Sequence, residues 1–121
     1  MVDDDSDARE LVKRILLEGE AVPAVAASAA EAKHLLLTFN PDVILSDIGM
    51  HEHDGYEFIR EMRRQGVTTP AVAVTAFARP EDRIRSIEAG YQMHLPKPFE
   101  TGELLAVVAS LAGRPNNTEP N

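Results

Sequence analysis

Apolar residues recur at helical spacing in five stretches of the chain. In the first stretch they fall at i, i+3, i+4, i+7 and i+8 between Ala8 and Leu16, ahead of Gly19. Ser28 and Glu31 form the pattern of a capping box before the second stretch. The spacing predicts five amphipathic helices. The apolar positions of the second to fifth helices are, in order, Ala32, Leu35, Leu36 and Phe39; Phe58, Ile59 and Met62; Ile84 and Ile87; and Leu104, Val107, Val108 and Leu111.

Short and almost wholly apolar runs lie between these helices. They cover residues 22–26, 43–45, 71–74 and, more weakly, 91–95. Continuous apolar runs are typical of parallel strands that are covered on both faces, whereas a sheet with one wet face alternates polar and apolar residues. Strands that alternate with helices imply right-handed βαβ crossovers. The pattern therefore predicts an α/β fold in which a doubly wound parallel sheet lies between two layers of helices.

The first strand is the exception to this pattern. A strand is required before the first helix, yet only Met1 and Val2 are available to form it. Either the chain is clipped at this point or the first strand is very short. Each missing buried side chain would cost about 1.5–3 kcal/mol of stability. A truncated central strand also leaves the edges of its neighbours partly unpaired, which favours association into a homodimer.

Composition and charge narrow the class of protein. The 121 residues include 12 Lys and Arg against 20 Asp and Glu, a formal net charge of −8, and no cysteine. The lack of cysteine excludes disulfides, thiol catalysis and cysteine-ligated metals. The acidic charge argues against direct binding of nucleic acid, and no apolar run approaches a membrane span. We expect one cytoplasmic domain over residues 1–112, without membrane insertion, and a disordered tail or linker over residues 113–121.

Polar side chains follow the predicted strands at the points where the strands end. Asp3 and Asp4 follow the first strand, Asp47 the third, Thr75 the fourth and Lys97 the fifth. Ligands of open parallel sheets bind beyond the carboxyl ends of the strands, so these side chains are expected to converge. Three close carboxylates repel one another unless a cation lies between them. Ligands that are all oxygen atoms favour Mg²⁺, with Mn²⁺ as a substitute.

Five motifs in register with this pattern carry a resemblance to a known family. They are Val2-Asp3-Asp4-Asp5, Pro41-Asp42-Val43-Ile44-Leu45-Ser46-Asp47-Ile48-Gly49-Met50, Asp54-Gly55-Tyr56, Thr75-Ala76 and Lys97-Pro98-Phe99. With these motifs in this order, the chain from Val2 to Ala112 resembles the receiver domains of two-component response regulators. The resemblance implies a flavodoxin-like (βα)5 sandwich whose parallel sheet has the order 2-1-3-4-5, counted along the predicted strands.

The resemblance assigns chemical roles to the residues at the strand ends. Asp47 would be the nucleophile that accepts a phosphoryl group from a phosphohistidine of a histidine kinase or phosphotransfer protein, and it would later lose the group to water. Asp4 would bind the metal ion directly, Asp3 would bind it through water, and the Gly49 carbonyl would complete the ligands together with Asp47. Lys97 would pair with a phosphoryl oxygen. Such a domain is a self-phosphorylating switch with weak autophosphatase activity and not a turnover enzyme.

The resemblance also implies a conformational switch. Thr75 would form a hydrogen bond with the phosphoryl group and bias the face made by the fourth helix, the fifth strand and the fifth helix. The peptide bond between Lys97 and Pro98 is expected to be cis. His94 stands where receivers normally carry the coupled aromatic residue, which favours a receiver associated with hybrid histidine kinases and phosphorelays. His51 replaces a proline that is common in receivers, a departure from the family pattern.

Two other classes of function fit parts of the pattern. Phosphohydrolases of the haloacid-dehalogenase type also use an aspartyl nucleophile, but they place an acid two residues after it, where this chain has Gly49. The second alternative is a receiver-like module that binds other proteins without being phosphorylated. The short first strand favours this module, whereas the complete set of acids, threonine and lysine argues against it.

Overall fold

The part of the chain that can be described comprises residues 1–49, 55–76 and 79–113 of a computed structural model. His51 and all but the first residue of the predicted tail lie outside these ranges, so the expectations for them stay predictions. Within the described ranges, no helix combines the length and the apolar character that crossing a membrane requires.

Three parallel strands form the centre of the sheet. They are β1 (Ile44–Asp47), β2 (Ala71–Thr75) and β3 (Met93–Pro96), and they lie side by side in the order β1-β2-β3. Every residue of β1 and β2 is buried, as expected for strands that are covered on both faces. The third, fourth and fifth predicted strands are therefore present, with their ends shifted by one or two residues.

The first and second predicted strands are reduced to isolated bridges beside β1. Val2 forms parallel bridges with Ala26 on one side and with Ser46 on the other. The amide of Val2 donates to Leu45 O at 2.8 Å, and the amide of Asp47 donates to Val2 O at 2.8 Å. The segments therefore lie in the order Ala26, Val2, β1, β2, β3, which is the order 2-1-3-4-5 of the predicted strands.

The prediction of a second strand over residues 22–26 is wrong in its length. Of these residues only Ala26 forms a bridge, and its partner is Val2. Val22, at the other end of the predicted strand, is 81% exposed.

In the described part of the chain, five helices connect these segments, and local capping interactions fix where the first two begin. The side chain of Asp5 accepts the amide of Asp7 at 3.0 Å, and Ser28 Oγ accepts the amide of Glu31 at 3.1 Å. The second helix is shorter than predicted, since it ends at Leu35. The helices are α1 (Ser6–Glu18), α2 (Ala29–Leu35), α3 (Gly55–Arg64), α4 (Pro80–Ala89) and α5 (Thr101–Leu111).

The helices cover both faces of the sheet and complete a three-layer sandwich. Side chains of α2 and α3, including Ala32 and Phe58, pack with Val2 on one face. Side chains of α1 and α5, including Leu16 and Leu104, pack on the other face. This is the doubly wound arrangement that the alternation of strands and helices predicts.

Helix α4 departs from the predicted pattern of buried apolar residues. The sequence predicts that Ile84 and Ile87 face the core, but their exposed fractions are 59% and 49%. The inward face carries Asp82 and Ser86 instead. Both have partners, since Ser86 Oγ donates to Asp82 O at 3.0 Å and the Asp82 carboxylate accepts Arg79 Nε at 3.0 Å. The prediction was wrong because apolar spacing alone does not detect a polar face that finds its own hydrogen bonds.

Arg63 ties the end of α3 to the amino-terminal edge of the sheet. Its guanidinium donates to Gly90 O at 2.8 and 3.1 Å, to Val67 O at 2.9 Å and to Thr69 O at 2.8 Å. It also donates to Gln92 Oε1 at 3.0 Å. These bonds join the loop before β2 to the turn after α4. They use several N–H donors of one planar guanidinium group, which among the side chains only arginine has.

Arg63→Ala is expected to lower the free energy of unfolding by about 2 kcal/mol, because it leaves several carbonyl groups without their charged donor. Arg64→Ala is the matched control, since Arg64 is the next residue of the same helix and is exposed. Urea unfolding followed by circular dichroism measures both changes. A loss in the Arg63 variant no larger than that in the Arg64 variant would contradict this role.

Candidate functional site

Three carboxylates meet at the carboxyl end of the sheet. Asp3 follows the bridge at Val2, Asp4 is the next residue, and Asp47 ends β1. One carboxylate oxygen of each lies within 4.8 Å of those of the other two. Asp3 and Asp47 are buried, whereas Asp4 is exposed. The structure thus brings together the three acids that the sequence places at neighbouring strand ends.

Lys97 supplies a positive charge next to this acidic pocket. Its Nζ atom lies 3.2 Å from Asp47 Oδ1 and 3.7 Å from Asp3 Oδ2. Its backbone amide donates to Thr75 O at 2.8 Å, which ties the residue to the end of β2. The peptide bond to Pro98 is cis, the isomer that the resemblance implies. One ammonium group therefore faces two buried carboxylates with a third close by, so the cluster keeps a net negative charge.

Hydrogen bonds from neighbouring residues hold Asp3 in place, but among the described residues one of its carboxylate oxygens finds no donor. Its Oδ1 atom accepts the Asp5 amide at 2.9 Å, and its carbonyl accepts Arg9 Nη1 at 2.8 Å. Oδ2 is buried and accepts no hydrogen bond from any residue that the structure describes. Burial is the main cause that raises the pKa of Asp3; the charge of Asp47 adds to the rise, and the Asp5 amide opposes it.

The donor set of the acidic pocket fits a hard divalent cation. Its ligand atoms are all carboxylate oxygens, which Mg²⁺ and Mn²⁺ prefer. A buried oxygen that accepts no hydrogen bond, such as Asp3 Oδ2, is uncommon and is satisfied by an ion or by water. The pocket is therefore suited to bind a metal ion.

The remaining predicted site residues lie on neighbouring strands or directly after β1. Thr75 ends β2 and is buried, one strand away from Asp47. Gly49 is exposed two residues after Asp47, and a Cβ atom built there would meet no atom within 4 Å. His94 is half-buried in β3, where it pairs with Ala73. The roles that the resemblance gives to Thr75, Gly49 and His94 stay predictions.

Two contacts that shape the site were not found from the sequence. The buried hydroxyl of Tyr91 donates to Gly55 O at 2.7 Å. Gly55 begins α3 and packs so closely on β1 that a Cβ atom there would lie 2.7 Å from Asp47 O. Arg9 holds the Asp3 carbonyl from α1. A glycine is itself a signal for close backbone approach, but nothing in the sequence indicates the acceptors of Tyr91 and Arg9.

A doubly wound parallel sheet with carboxylates and a lysine at its carboxyl end defines a class of ligand-binding α/β domains. The family model described as response regulator receiver domain matches residues 1–109. The solved receiver domain of the Francisella response regulator 1452 superposes with a TM-score of 0.88 at 32% identity and covers 93% of each chain. The chain therefore belongs to the family of response regulator receiver domains.

Curated proteins are similar to this chain over most of its length. A 14.6 kDa protein of Leptolyngbya boryana is 41% identical over 110 residues, which are 89% of this chain and 84% of that protein. The response regulator MprA of Mycobacterium sp. strain KMS is 34% identical over 119 residues, or 98% of this chain. The chain spans only 52% of the length of MprA, so the similarity concerns about half of that relative.

We expect Asp3→Asn to raise the melting temperature by several degrees in the absence of divalent cations, because it removes a buried charge next to Asp47. The folded state binds a proton at Asp3 more tightly than the unfolded state does, so ionisation of Asp3 costs stability. The gain should be largest at pH 7 and shrink as the pH falls through the raised pKa. Thermal unfolding in EDTA at several pH values measures it.

Asp42→Asn is the matched control for this experiment, because Asp42 is exposed and lies outside the acidic pocket. It should leave the melting temperature nearly unchanged. Equal gains in the two variants, or a gain at Asp3 that grows as the pH falls, would show that repulsion at Asp3 is not the cause.

Proposed function

We propose that this receiver domain accepts a phosphoryl group on Asp47 from a phosphohistidine of a histidine kinase or a phosphotransfer protein. The observation that carries the proposal is the distance of 3.2 Å between Lys97 Nζ and Asp47 Oδ1 beside the acidic pocket. An ion pair whose only role is to stabilise the fold needs a single acid for its lysine. A residue that accepts a phosphoryl group also needs positive charge nearby, because the incoming phosphoryl oxygens are negative. A lysine beside a metal-binding pocket supplies that charge.

The transfer step follows from the groups at the site. A carboxylate oxygen of Asp47 attacks the phosphorus atom of the donor, the bond between phosphorus and the histidine nitrogen breaks, and the imidazole leaves. The product is an acyl phosphate on Asp47, and the ammonium group of Lys97 pairs with one of its oxygens. Attack of water on the phosphorus later restores the carboxylate and releases phosphate. The domain thus phosphorylates itself and slowly removes the group again.

The acidic pocket is proposed to hold Mg²⁺. Asp4 and Asp47 would bind the ion directly, the Gly49 carbonyl would be a further ligand, and Asp3 would act through water. Asp3 suits the indirect role because one of its oxygens already accepts a backbone amide and the other lies 3.7 Å from Lys97. A bound divalent cation neutralises charge that develops on the phosphoryl oxygens.

Phosphorylation is proposed to bias the surface formed by α4, β3 and α5. Thr75 is buried at the end of β2, next to the acceptor strand, and its hydroxyl would form a hydrogen bond with the phosphoryl group. His94 lies on β3 and so belongs to this surface. A histidine at this position favours a role in a phosphorelay with a hybrid kinase. Exposed Ile84, Ile87 and Met93 give the surface apolar area that a partner can bury.

Incubation with Mg²⁺ and phosphoramidate is expected to increase the mass of the protein by one phosphoryl group. Asp47→Asn should abolish the increase, because an amide oxygen is not a nucleophile of comparable strength. Asp42→Asn, which removes an exposed carboxylate outside the pocket, should keep the full increase. Intact-mass spectrometry measures all three proteins.

The adduct should resist acid and be lost in base. Labelling of the Asp47→Asn protein at the parent rate would remove Asp47 from its proposed role. If the folded parent protein gains no mass, the alternative of an unphosphorylated interaction module becomes the better description.

Millimolar Mg²⁺ is expected to raise the melting temperature, because an ion that binds only the folded state stabilises it by RT ln(1 + [L]/Kd), about 1.4 kcal/mol at ten times Kd. The rise should be clearly smaller for Asp4→Asn, and Asp7→Asn is the control because Asp7 is exposed outside the pocket. Thermal unfolding over a Mg²⁺ titration measures the effect. An identical rise in both variants would argue against binding in the acidic pocket.

A further inference from the structure

The first residue of α3 packs against the end of β1 without space for a side chain. A Cβ atom built on Gly55 would lie 2.7 Å from Asp47 O and 2.9 Å from a side-chain atom of Ile48. Cβ atoms essentially never come so close to another atom, so glycine is required at this position. The amide of Gly55 also donates to Ile48 O at 3.1 Å. The start of α3 is therefore joined to the strand end that carries Asp47.

Tyr91 holds the same glycine by its carbonyl group. The Tyr91 hydroxyl donates to Gly55 O at 2.7 Å, and both residues are buried. This distance is the usual one for a well-formed bond between a hydroxyl and a carbonyl oxygen. The backbone of Tyr91 is itself fixed, because its amide donates to Ser86 O at 3.1 Å in the turn after α4. Gly55 is thus held between β1 on one side and this turn on the other.

Helix α3 is attached at both ends to two consecutive residues of the turn after α4. Near the end of the helix, Arg63 donates to Gly90 O at 2.8 and 3.1 Å. At its start, the Tyr91 hydroxyl bonds to Gly55. Arg63 acts at the amino-terminal edge of the sheet, whereas Gly55 lies against Asp47 at the carboxyl end. Only the attachment through Tyr91 therefore bears on the acidic pocket.

The position of Gly55 affects the backbone between two of the proposed metal ligands. Asp47 and Gly49 flank Ile48 in the sequence, and the carbonyl of Ile48 accepts the Gly55 amide. A shift of Gly55 consequently moves the backbone that joins the Asp47 carboxylate to the Gly49 carbonyl. Loss of a residue that holds metal ligands in place weakens metal binding by roughly 10–100-fold.

We propose that Tyr91 is a positioning residue for the metal ion. Its hydroxyl holds Gly55, and Gly55 holds the backbone from which Asp47 and Gly49 bind the cation. Tyr91 lies in the turn after α4, outside the acidic pocket, so its effect on the ion passes through Gly55. The inference rests on the proposed function, because it takes Asp47 and Gly49 as ligands of the ion.

The test compares the full chain with its Tyr91→Phe variant, which keeps the buried ring and loses only the hydroxyl. We expect the dissociation constant for Mn²⁺ to rise about tenfold. The signal of free Mn²⁺ in electron paramagnetic resonance measures this constant without any phosphoryl donor.

A second readout is the rate of labelling by phosphoramidate over a Mg²⁺ titration. The half-saturating Mg²⁺ concentration should rise by the same factor in Tyr91→Phe, while the rate at saturating Mg²⁺ stays at the parent level, because the bound ion then holds its ligands in place. A role in folding alone would not move the half-saturating concentration of a protein that circular dichroism shows to be folded.

Three further variants separate this role from general effects on α3. Tyr56→Phe removes the hydroxyl of the only other tyrosine, which is buried in the same turn of the helix. Arg63→Ala loosens the opposite end of the helix. Both should bind Mn²⁺ as the parent protein does. Gly55→Ala displaces the same backbone by its Cβ atom and should raise the dissociation constant as Tyr91→Phe does.

An unchanged dissociation constant for Mn²⁺ in Tyr91→Phe would overturn the proposal, and so would an equal rise in Tyr56→Phe or Arg63→Ala. A lower maximal labelling rate at an unchanged half-saturating Mg²⁺ concentration would also overturn it. Failure of the proposed function looks different, because the parent protein itself would then bind no Mn²⁺ or gain no phosphoryl group. A parent protein that binds no Mn²⁺ would contradict both.

Discussion

Repulsion among Asp3, Asp4 and Asp47 is the constraint around which the carboxyl end of this domain is built. Parallel strands end at one edge of the sheet, and this chain places an acid at two neighbouring ends. Lys97 lies 3.2 Å from Asp47 and offsets only part of the negative charge. The fold tolerates the remaining repulsion at a cost that a cation in the acidic pocket would lower, which suits the site to bind a metal ion.

The short first strand is sufficient to position this site. Val2 alone bridges both neighbours, and its two bonds to β1 fix the point at which Asp3 leaves the sheet. Arg9 then holds the Asp3 carbonyl from α1.

Local patterns predicted the features that depend on local structure. The five helices, the alternation with strands and the convergence of Asp3, Asp4, Asp47 and Lys97 all follow from apolar spacing and from the rule that strand ends meet at one edge. Errors arose where the placement of side chains or a distant partner decides which residues are buried. The spacing in α4 did not reveal that Asp82 and Ser86 turn inward, because their hydrogen bonds depend on side-chain placement.

The second predicted strand and the Tyr91 hydroxyl illustrate the same limit. Residues 22–26 form a short apolar run, but only Ala26 among them has a bridge partner. The Tyr91 hydroxyl bonds to Gly55 across 36 positions of sequence, a contact that no pattern within a single segment encodes. The chemical roles of the site residues came from the resemblance to receiver domains. Composition and spacing alone could not decide whether the clustered acids bind a metal ion or serve another purpose.

The position of a bound cation tests this view of the site most directly. Crystals grown with Mn²⁺ and measured at its absorption edge should show one anomalous peak, about 2.1 Å from carboxylate oxygens of Asp4 and Asp47. Such a peak would establish that the acids at the strand ends form a metal site next to the proposed acceptor Asp47. An acidic pocket without a peak at saturating Mn²⁺, in a well-ordered crystal, would contradict it.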